Sequence, residues 1–586
     1  MRQVLAEMAN ARAVARAGVL STETFAGGMF AHAGGSCVRA EAAEMRGFLL
    51  RPAGEDRRSD AQALGELLAA QLGGRALTLA GIGGAYLLLI VNTANGQITL
   101  ATDRFASCPL YYRVAAGEFT FASDPAALLA APGARCELDA QAIYDYVFFH
   151  CIPAPRTIFR GVAKLEPAAL LRWNGTAVGL ETHWQPHFAT RDEGVERLGP
   201  QLLNALRNAV GQRARPQCGA FLSGGLDSSS VAGMLKRSSG AARTFTIGFD
   251  AEGYDESAFA RTASQHFGTE HHEYFVTPAD VLESLPQIAA HYGEPFGNSS
   301  VLPTYHCARF ARQHGVDMML AGDGGDELFA GNTRYTEQHK FERYFRVPAL
   351  LRSALEAGYR LLPWLNDLPV AGKGARYIQQ ARMGLPDRLQ SYNFLNRLDP
   401  RTVFESDWLA PIDRQAPWEL WRARYRAPSS GDSLQRMLYL DWKFTLADND
   451  LVKVNNMCDL AGVDVCYPML DDALIDLAAR TSSATLLAGG ELRGFYKRAC
   501  RDFLPQAILR KSKHGFGLPF GVWMRSDAGL KNMVREAFAG LRRRGIFRND
   551  FLLDAEGRYE REAASYYGEL AWILVALELW LESHGF

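Results

Sequence analysis

The chain has 586 residues, more than one hydrophobic core usually serves, so two or more domains are expected. Its 63 Lys plus Arg balance 64 Asp plus Glu, which leaves no general basic field to hold a nucleic-acid backbone, and no nucleic-acid partner is expected. The longest apolar stretch, Leu570 to Leu577, stops at Glu578, well short of the roughly 20 residues a membrane span needs, so it reads as a buried terminal helix. The nine cysteines stand singly, with no C-x-x-C pair and no zinc spacing, as suits small buried hydrophobes in a reducing, cytoplasmic setting.

The first 20 residues carry Arg2, Arg12 and Arg16 but also Glu7, without a continuous apolar run, and read as an ordinary helix. From about Leu77 to Ala122 short apolar runs are broken by turn residues. Tyr86 to Val91 and Ile98 to Thr102 flank Asn95-Gly96, a strong hairpin signal, and Val114 and Phe119 to Phe121 flank a second turn at Gly117. This is an antiparallel-sheet pattern. After Asp139 an apolar helix (Ile143, Tyr144, Val147, Phe148) runs into Pro153 and Pro155, which break it. The polar stretch Pro186 to Gly199 is read as a linker between a first domain, 1–190, and a second, 200–586.

Beyond it the rhythm changes. Strands at Gly219–Leu222, Thr244–Phe249, Glu273–Val276 and Val316–Leu320 alternate with helices at Ser228–Lys236, Glu256–Phe267, Pro278–His291 and Pro303–His314. That alternation argues for a parallel, doubly wound α/β sheet. The remainder, to Phe586, is mainly helical with aromatic-rich faces, and no repeat is visible.

Ser223-Gly224-Gly225-Leu226-Asp227-Ser228-Ser229 falls between a strand and a helix. A phosphate tail needs backbone N–H groups that approach closely, which glycine permits, and a helix N-terminus whose partial positive charge faces it. Ser223 and Ser228 add hydroxyl donors, and Asp227 makes sense as a ligand for magnesium, which favours hard oxygen donors. No G-K-[ST] follows, so this is not a Walker loop. A second acidic loop, Ala321 to Gly331, follows the strand ending at Leu320 and so lies at the carboxyl edge of the sheet. There Asp323 and Asp326 are separated by two glycines that let both carboxylates turn toward one site, and Asp326 would join Asp227 on magnesium.

Ser-Gly-Gly-x-Asp-Ser after a strand resembles the pyrophosphate loop of the ATP-pyrophosphatase enzymes, which split ATP between its α and β phosphates. Downstream, Phe245 to Phe249, Tyr254-Asp255-Glu256-Ser257, Gly293-Glu294-Pro295-Phe296 and Ala321 to Gly331 resemble asparagine synthetases. So do Leu451-Val452-Lys453-Val454, Pro468-Met469-Leu470-Asp471 and Lys513 to Pro519. The resemblance implies a C-terminal parallel-sheet ATP-pyrophosphatase domain with a helical extension, using ATP and Mg2+. By it, Phe221, Ile247, Ala321 and Gly322 would contact the nucleotide beside Ser223, Gly224, Gly225, Asp227 and Ser228. Asp323 would support acyl-adenylate formation, and Lys453 and Arg493 would stabilise developing negative charge. Arg493 stands where the family has a lysine, with Lys497 one helical turn on as a second cation. Cys466 stands where the family has an arginine, and a neutral thiol cannot pair with a free amino acid's carboxylate.

The N-terminal half resembles the same family's class II glutamine amidotransferase domain, of the Ntn type, through Thr102-Asp103-Arg104, Pro109 to Tyr112, Phe121 to Asp124, Ile152 to Phe159 and Lys164 to Pro167. Asp103 matches the position that holds the amino group of glutamine. That chemistry needs a cysteine at an exposed N-terminus. Here the sequence reads Met1-Arg2-Gln3, Gly27-Gly28-Met29 is followed by Phe30, and Cys37 has nothing to expose it, so this domain is expected to be inactive. The expected reaction is adenylation of a small-molecule or peptide carboxylate, aspartate by default, and amide formation with ammonia, glutamine or another amine. The rival expectation is a repurposed ligase or cyclase resembling lasso-peptide cyclases or β-lactam synthetases, and a non-catalytic nucleotide-binding scaffold stands third. A homodimer is compatible with the sequence and not required by it.

Overall fold

The computed structural model describes residues 21–586 apart from 26–27, 33–35, 56, 58, 130–135, 189–190, 252–253, 346, 362–376, 379, 392, 512–517 and 562–563. The expected helix in the first 20 residues, Gly27 and Lys513 to Gly517 lie outside the described residues. Gly28 and Met29 open β2 (Gly28–His32), which pairs antiparallel with β1 (Ser21–Phe25).

The N-terminal half is built on a six-stranded antiparallel sheet. Its strands are β3 (Ser36–Ala42), β4 (Met45–Arg51), β5 (Leu87–Asn92), β6 (Ile98–Thr102), β10 (Ala169–Trp173) and β11 (Val178–Thr182), in the order β11-β10-β6-β5-β4-β3. β5 shows why the pattern there is a continuous apolar run rather than an alternation. Leu87, Leu89 and Val91 pack toward one apolar cluster with Phe48, Leu100 and Trp173, while Leu88 and Ile90 pack toward another beneath the helix Asp60–Leu72. A strand buried on both faces has no polar side to present. A smaller sheet, β8-β7-β9, sits against the first cluster; β7 (Tyr111–Ala115) and β8 (Glu118–Ala122) are the second hairpin, and β9 is Ala163–Lys164. The helix Ala140–Phe149 is capped by Asp139, whose carboxylate accepts from the Gln141 amide at 3.0 Å.

The Pro186–Gly199 stretch is not irregular throughout: a helix runs from Val195 to Arg213 and contains both Gly199 and Pro200. Leu198, Leu202, Leu206 and Val210 recur every fourth residue and are fully buried, so packing of one apolar stripe overrides the local helix-breaking signals.

The second half is built on a five-stranded sheet in which every pairing is parallel. Its order is β14 (Glu270–Val276), β13 (Arg243–Phe249), β12 (Cys218–Phe221), β15 (Met318–Leu320), β16 (Asp464–Cys466). Beginning with β12, successive strands first step to one side and then return to the other, so the order reverses between β12 and β15. A cleft opens beyond the carboxyl ends of strands at such a switch point. β16 is contributed from far along the chain; three residues between a helix and a proline gave no strand signal. The C-terminal helix, Ala564–Ser583, buries Trp572, Ile573, Leu574, Val575, Leu577 and Trp580. Each aliphatic side chain removed from water there contributes about 1.5–3 kcal/mol. Among the described residues no helix is long and apolar enough to cross a membrane.

Candidate active site

The two loops singled out in the sequence leave the adjacent strands β12 and β15, one on each side of the switch point. The first is closed on itself by its serines. Ser223 donates its amide to Ser228 Oγ at 3.1 Å, the two hydroxyls lie 3.0 Å apart, and Gly225 donates to Ser223 Oγ at 3.3 Å. The helix Leu226–Ser239 that follows has Gly225 as its N-cap, with no side-chain acceptor on its first turn. Its amino end therefore keeps the character of an anion site. Gly224 has φ +68°, and a Cβ there would run into the backbone of Ala260 and Phe259, so the loop needs glycine for conformation and for close approach. A Cβ on Gly322 would likewise press on Ser228 N, so that glycine lets the second loop lie against the first helix turn. Phe221 is half-buried at the end of β12, whereas Ile247 and Ala321 are buried in the cores, so Ile247 and Ala321 offer a ligand mainly backbone.

Asp227 and Asp326 converge on one guanidinium. Arg493 Nη1 donates to Asp227 Oδ1 at 2.6 Å and Nη2 to Asp227 Oδ2 at 2.5 Å, and the same Nη2 donates to Asp326 Oδ1. The two carboxylates outweigh the cost of burying the guanidinium and keep it charged. Arg493 sits in the left-handed region at φ 57°, as N-cap of the helix Gly494–Ala499, and its amide donates to Ala330 O at 3.2 Å. Glycines surround the trio: a Cβ on Gly325 would overlap the Asp227 carboxylate, and one on Gly331 would overlap Asp326 and Arg493. Lys497 does not join them; its ammonium faces Glu491 at 3.9 Å.

Asp323 lies beside this trio with its own cation. Loss of water raises its pKa to about 6; Lys453 opposes the rise, while Asp450 and Asp227 add to it. Lys453 Nζ donates to Asp450 at 2.7 Å, and although burial works against its charge, Asp450 and Asp323 hold its pKa above the ordinary lysine value. Both residues are placed by an unusual helix. Ser433–Asp441 passes into a π-helical stretch, Trp442–Asp450, and back to α-helix at Leu451–Ala461, a widening that is common at functional sites. Trp442 Nε1 donates to the Glu327 carbonyl at 2.9 Å, which ties this helix to the acidic loop.

Magnesium fits this donor set. Among the described residues no group of three or more His, Cys, Asp or Glu forms a ready cage. Two carboxylates converging on one point, with phosphate and water completing the shell, is nonetheless how that ion is usually held.

Three features were missed in the sequence. Lys511 is tucked behind the phosphate-type loop, 2.9 Å from Glu256 and 3.3 Å from Ser223 O. Glu294, within a motif already noted, faces the N-terminal half: it pairs with Lys164 at 2.7 Å, and accepts from Tyr111 Oη at 3.2 Å and Ile158 N at 3.0 Å. Glu55 enters the other half to meet Arg213, which also reaches Asp471 at 3.2 Å. Side chains that meet across hundreds of residues leave no local pattern to read.

Cys466 points away from the cleft. Its thiol donates to Ala53 O at 3.1 Å and rests on Met318, and a Cβ on Gly54 would strike it. A small side chain here lets the N-terminal half close onto β16. Asp103 is buried and accepts from Tyr86 N at 3.2 Å, Phe105 N at 2.9 Å, Ser107 N at 3.0 Å and Ser107 Oγ at 3.2 Å. Burial raises its pKa to about 6 in spite of those bonds. Burial and the nearby Asp103 also push the Cys108 thiol up, the reverse of what a nucleophilic cysteine needs. Cys37 lies in β3, paired with Leu50.

A switch-point cleft with a glycine-serine loop facing clustered aspartates suits a domain that binds a nucleotide's phosphates, and comparison with known proteins gives the class. The family model "Asparagine synthase" matches residues 201–582 and "Glutamine amidotransferase domain" matches 53–184. The chain belongs to the asparagine synthase family, and with it to the ATP-using carbon–nitrogen ligases. It is 24% identical over 464 residues to asparagine synthetase [glutamine-hydrolyzing] 1 of Bacillus subtilis, covering 78% of this chain and 71% of that one. It is 30% identical over 384 residues to a putative asparagine synthetase [glutamine-hydrolyzing] 2 of Methanocaldococcus jannaschii, covering 64% and 71%. A carboxyethyl-arginine beta-lactam-synthase of Streptomyces clavuligerus is 31% identical over 201 residues, covering 34% and 36%.

Proposed function

We propose that the chain activates a carboxylate, aspartate by default, as an acyl-adenylate and passes it to ammonia or another amine that does not come from its own glutaminase. The observation that carries this reading is the convergence of Asp227, Asp326 and Arg493 beside the Ser223–Ser228 loop, with Asp323 and Lys453 adjoining.

In this mechanism the Ser223–Ser228 loop and the helix amino end grip the triphosphate. Phe221 and the backbone at Ile247, Ala321 and Gly322 border the nucleoside. Asp227 and Asp326 would hold magnesium, which when bound neutralises phosphate charge. The substrate carboxylate attacks the α-phosphorus and pyrophosphate leaves, its charge balanced by Arg493. Arg493 stays protonated, so it acts as a fixed charge and not as an acid. Asp323, ionised above about pH 6, accepts the proton of the amine as it attacks the acyl carbon; Lys453 stabilises the oxyanion, which collapses to the amide as the acyl C–O bond breaks and AMP leaves. Asp103 acts here as a buried keystone, because its two oxygens already accept four donors. A cytoplasmic location suits cysteines that form no disulfide among the described residues.

A second reading, ring closure by an amine within the substrate itself, is supported by the stretch similar to the Streptomyces synthase. The test is to incubate the purified chain with ATP, magnesium and a panel of carboxylates, each with ammonia, with glutamine and with no added amine. Pyrophosphate and AMP should appear with ammonia and fall at least a hundredfold in Asp227→Ala and Asp326→Ala. Product without added amine selects the cyclising reading. ADP in place of AMP, or full turnover in both variants, overturns the proposal.

A further inference from the structure

The arrangement of Arg493 raises a question of occupancy. Two carboxylates on separate loops share one nitrogen of this guanidinium, and its fork meets Asp227 through two parallel bonds. The Arg493 side chain is only 5% exposed, and Gly325 and Gly331 leave no slack around the three groups. The point at which the carboxylates converge, where a divalent cation would be held, is therefore filled by the chain's own cation.

We propose that Arg493 is the nucleotide-free occupant of the divalent-cation point, so that an ion enters only as the guanidinium moves off it. The inference rests on the nucleotide-site reading above and adds an order to it. Two half-buried carboxylates turned toward one point repel one another, and a positive group between them offsets that cost. Arginine suits the task better than lysine, because a planar fork satisfies one carboxylate with two bonds and still reaches a second, whereas an ammonium is a point charge. The left-handed backbone at Arg493 and its amide bond to Ala330, itself at φ 56°, aim the side chain into the cleft. A divalent ion arriving alone must displace a bidentate ion pair and leave the guanidinium with no partner. An ion arriving with a polyphosphate brings the anion onto which the guanidinium can transfer. Metal binding and nucleotide binding are thus coupled through one side chain, and each favours the other.

The experiment is direct measurement of Mn2+ binding to the full chain without nucleotide, by electron paramagnetic resonance, in wild type, Arg493→Met and Arg493→Lys. Arg493→Met is expected to bind Mn2+ at least tenfold more tightly than wild type, with Arg493→Lys between them. The gain should vanish in Arg493→Met/Asp326→Asn. Equal Mn2+ affinity in wild type and Arg493→Met overturns the proposal, as does a gain that survives Asp326→Asn, since the ion would then sit elsewhere. Should Arg493→Met fail to fold by circular dichroism, Arg493→Lys decides: affinity equal to wild type overturns the idea and tighter binding upholds it. The underlying nucleotide reading fails separately, by absence of ATP binding to wild type in the presence of magnesium, an outcome that leaves the Mn2+ comparison interpretable.

Discussion

Arg213 and Glu55, one from each half of the chain, form a buried bidentate ion pair, with Nε–Oε1 at 2.6 Å and Nη2–Oε2 at 2.8 Å. Breaking such a pair strands a charge in a site that water does not reach, at a cost of about 3–5 kcal/mol. Arg213→Met and Glu55→Met are each expected to lower the melting temperature by several degrees. The double variant Arg213→Met/Glu55→Met should recover much of the loss, because two apolar side chains need no partner. Differential scanning calorimetry on the three variants checks this. Additive losses would show that the contact contributes nothing beyond two independent side chains.

Gly224→Ala should weaken nucleotide binding with a moderate loss of stability. The residue is at φ +68°, and its added methyl would meet the backbone of the helix Ser257–Phe267 at Ala260. Strain of this kind costs about 1–3 kcal/mol, and here it falls on the loop that must face phosphate. Isothermal titration with a non-hydrolysable ATP analogue should show at least a tenfold loss. Gly96→Ala is the control: also at positive φ, it has nothing within 4 Å, so it should lose some stability and no affinity.

The local signals in the sequence were reliable where one segment decides its own structure. The Asn95-Gly96 hairpin, the 278–291 helix with Thr277 and Asp280 as its capping box, and the strand–loop–helix at 218–239 all follow from residues within a few positions of each other. What escaped depends on partners distant in the chain. β16 exists because β15 offers it a parallel edge, the helix across Pro200 exists because Leu198, Leu202 and Leu206 find a core, and Lys511 is known only by meeting Glu256. In the candidate site the sequence already places Asp326 with Asp227; what it does not show is that Arg493 meets both of them. Cys466 shows the opposite error, since a departure first read as a substrate determinant faces Ala53 and Met318.

Asp103→Asn should change stability and leave ammonia-dependent amide formation nearly untouched. The carboxylate accepts three backbone amides and a hydroxyl, and an amide in its place would turn an NH2 group toward at least one of those donors. A buried polar group left unsatisfied costs about 1–3 kcal/mol. Glutamine should release no glutamate with either protein, as measured by a coupled dehydrogenase assay. Rapid glutamine hydrolysis by the unmodified chain would show that this pocket still works as its relatives' names suggest.

The pH dependence of amide formation should report Asp323. Its carboxyl, raised to about 6, is mostly protonated at pH 5 and ionised at pH 7. If it accepts the amine's proton, kcat/KM rises about tenfold per pH unit below 6 and levels off above it. Asp323→Asn should lose that limb together with most of the rate. Two neighbours then move the limb in opposite directions. Lys453 holds the Asp323 pKa down, so Lys453→Met should shift the limb to higher pH; Asp450 holds it up, so Asp450→Asn should shift it lower. The stability of the fold carries the other sign. A carboxyl whose folded pKa lies above its unfolded value of 3.8 binds its proton more tightly when folded, so its contribution is fully present below about pH 4 and is lost as pH rises through 6. Asp323→Asn should therefore flatten the fall in melting temperature between pH 4 and 7 while abolishing the rise in activity over the same range.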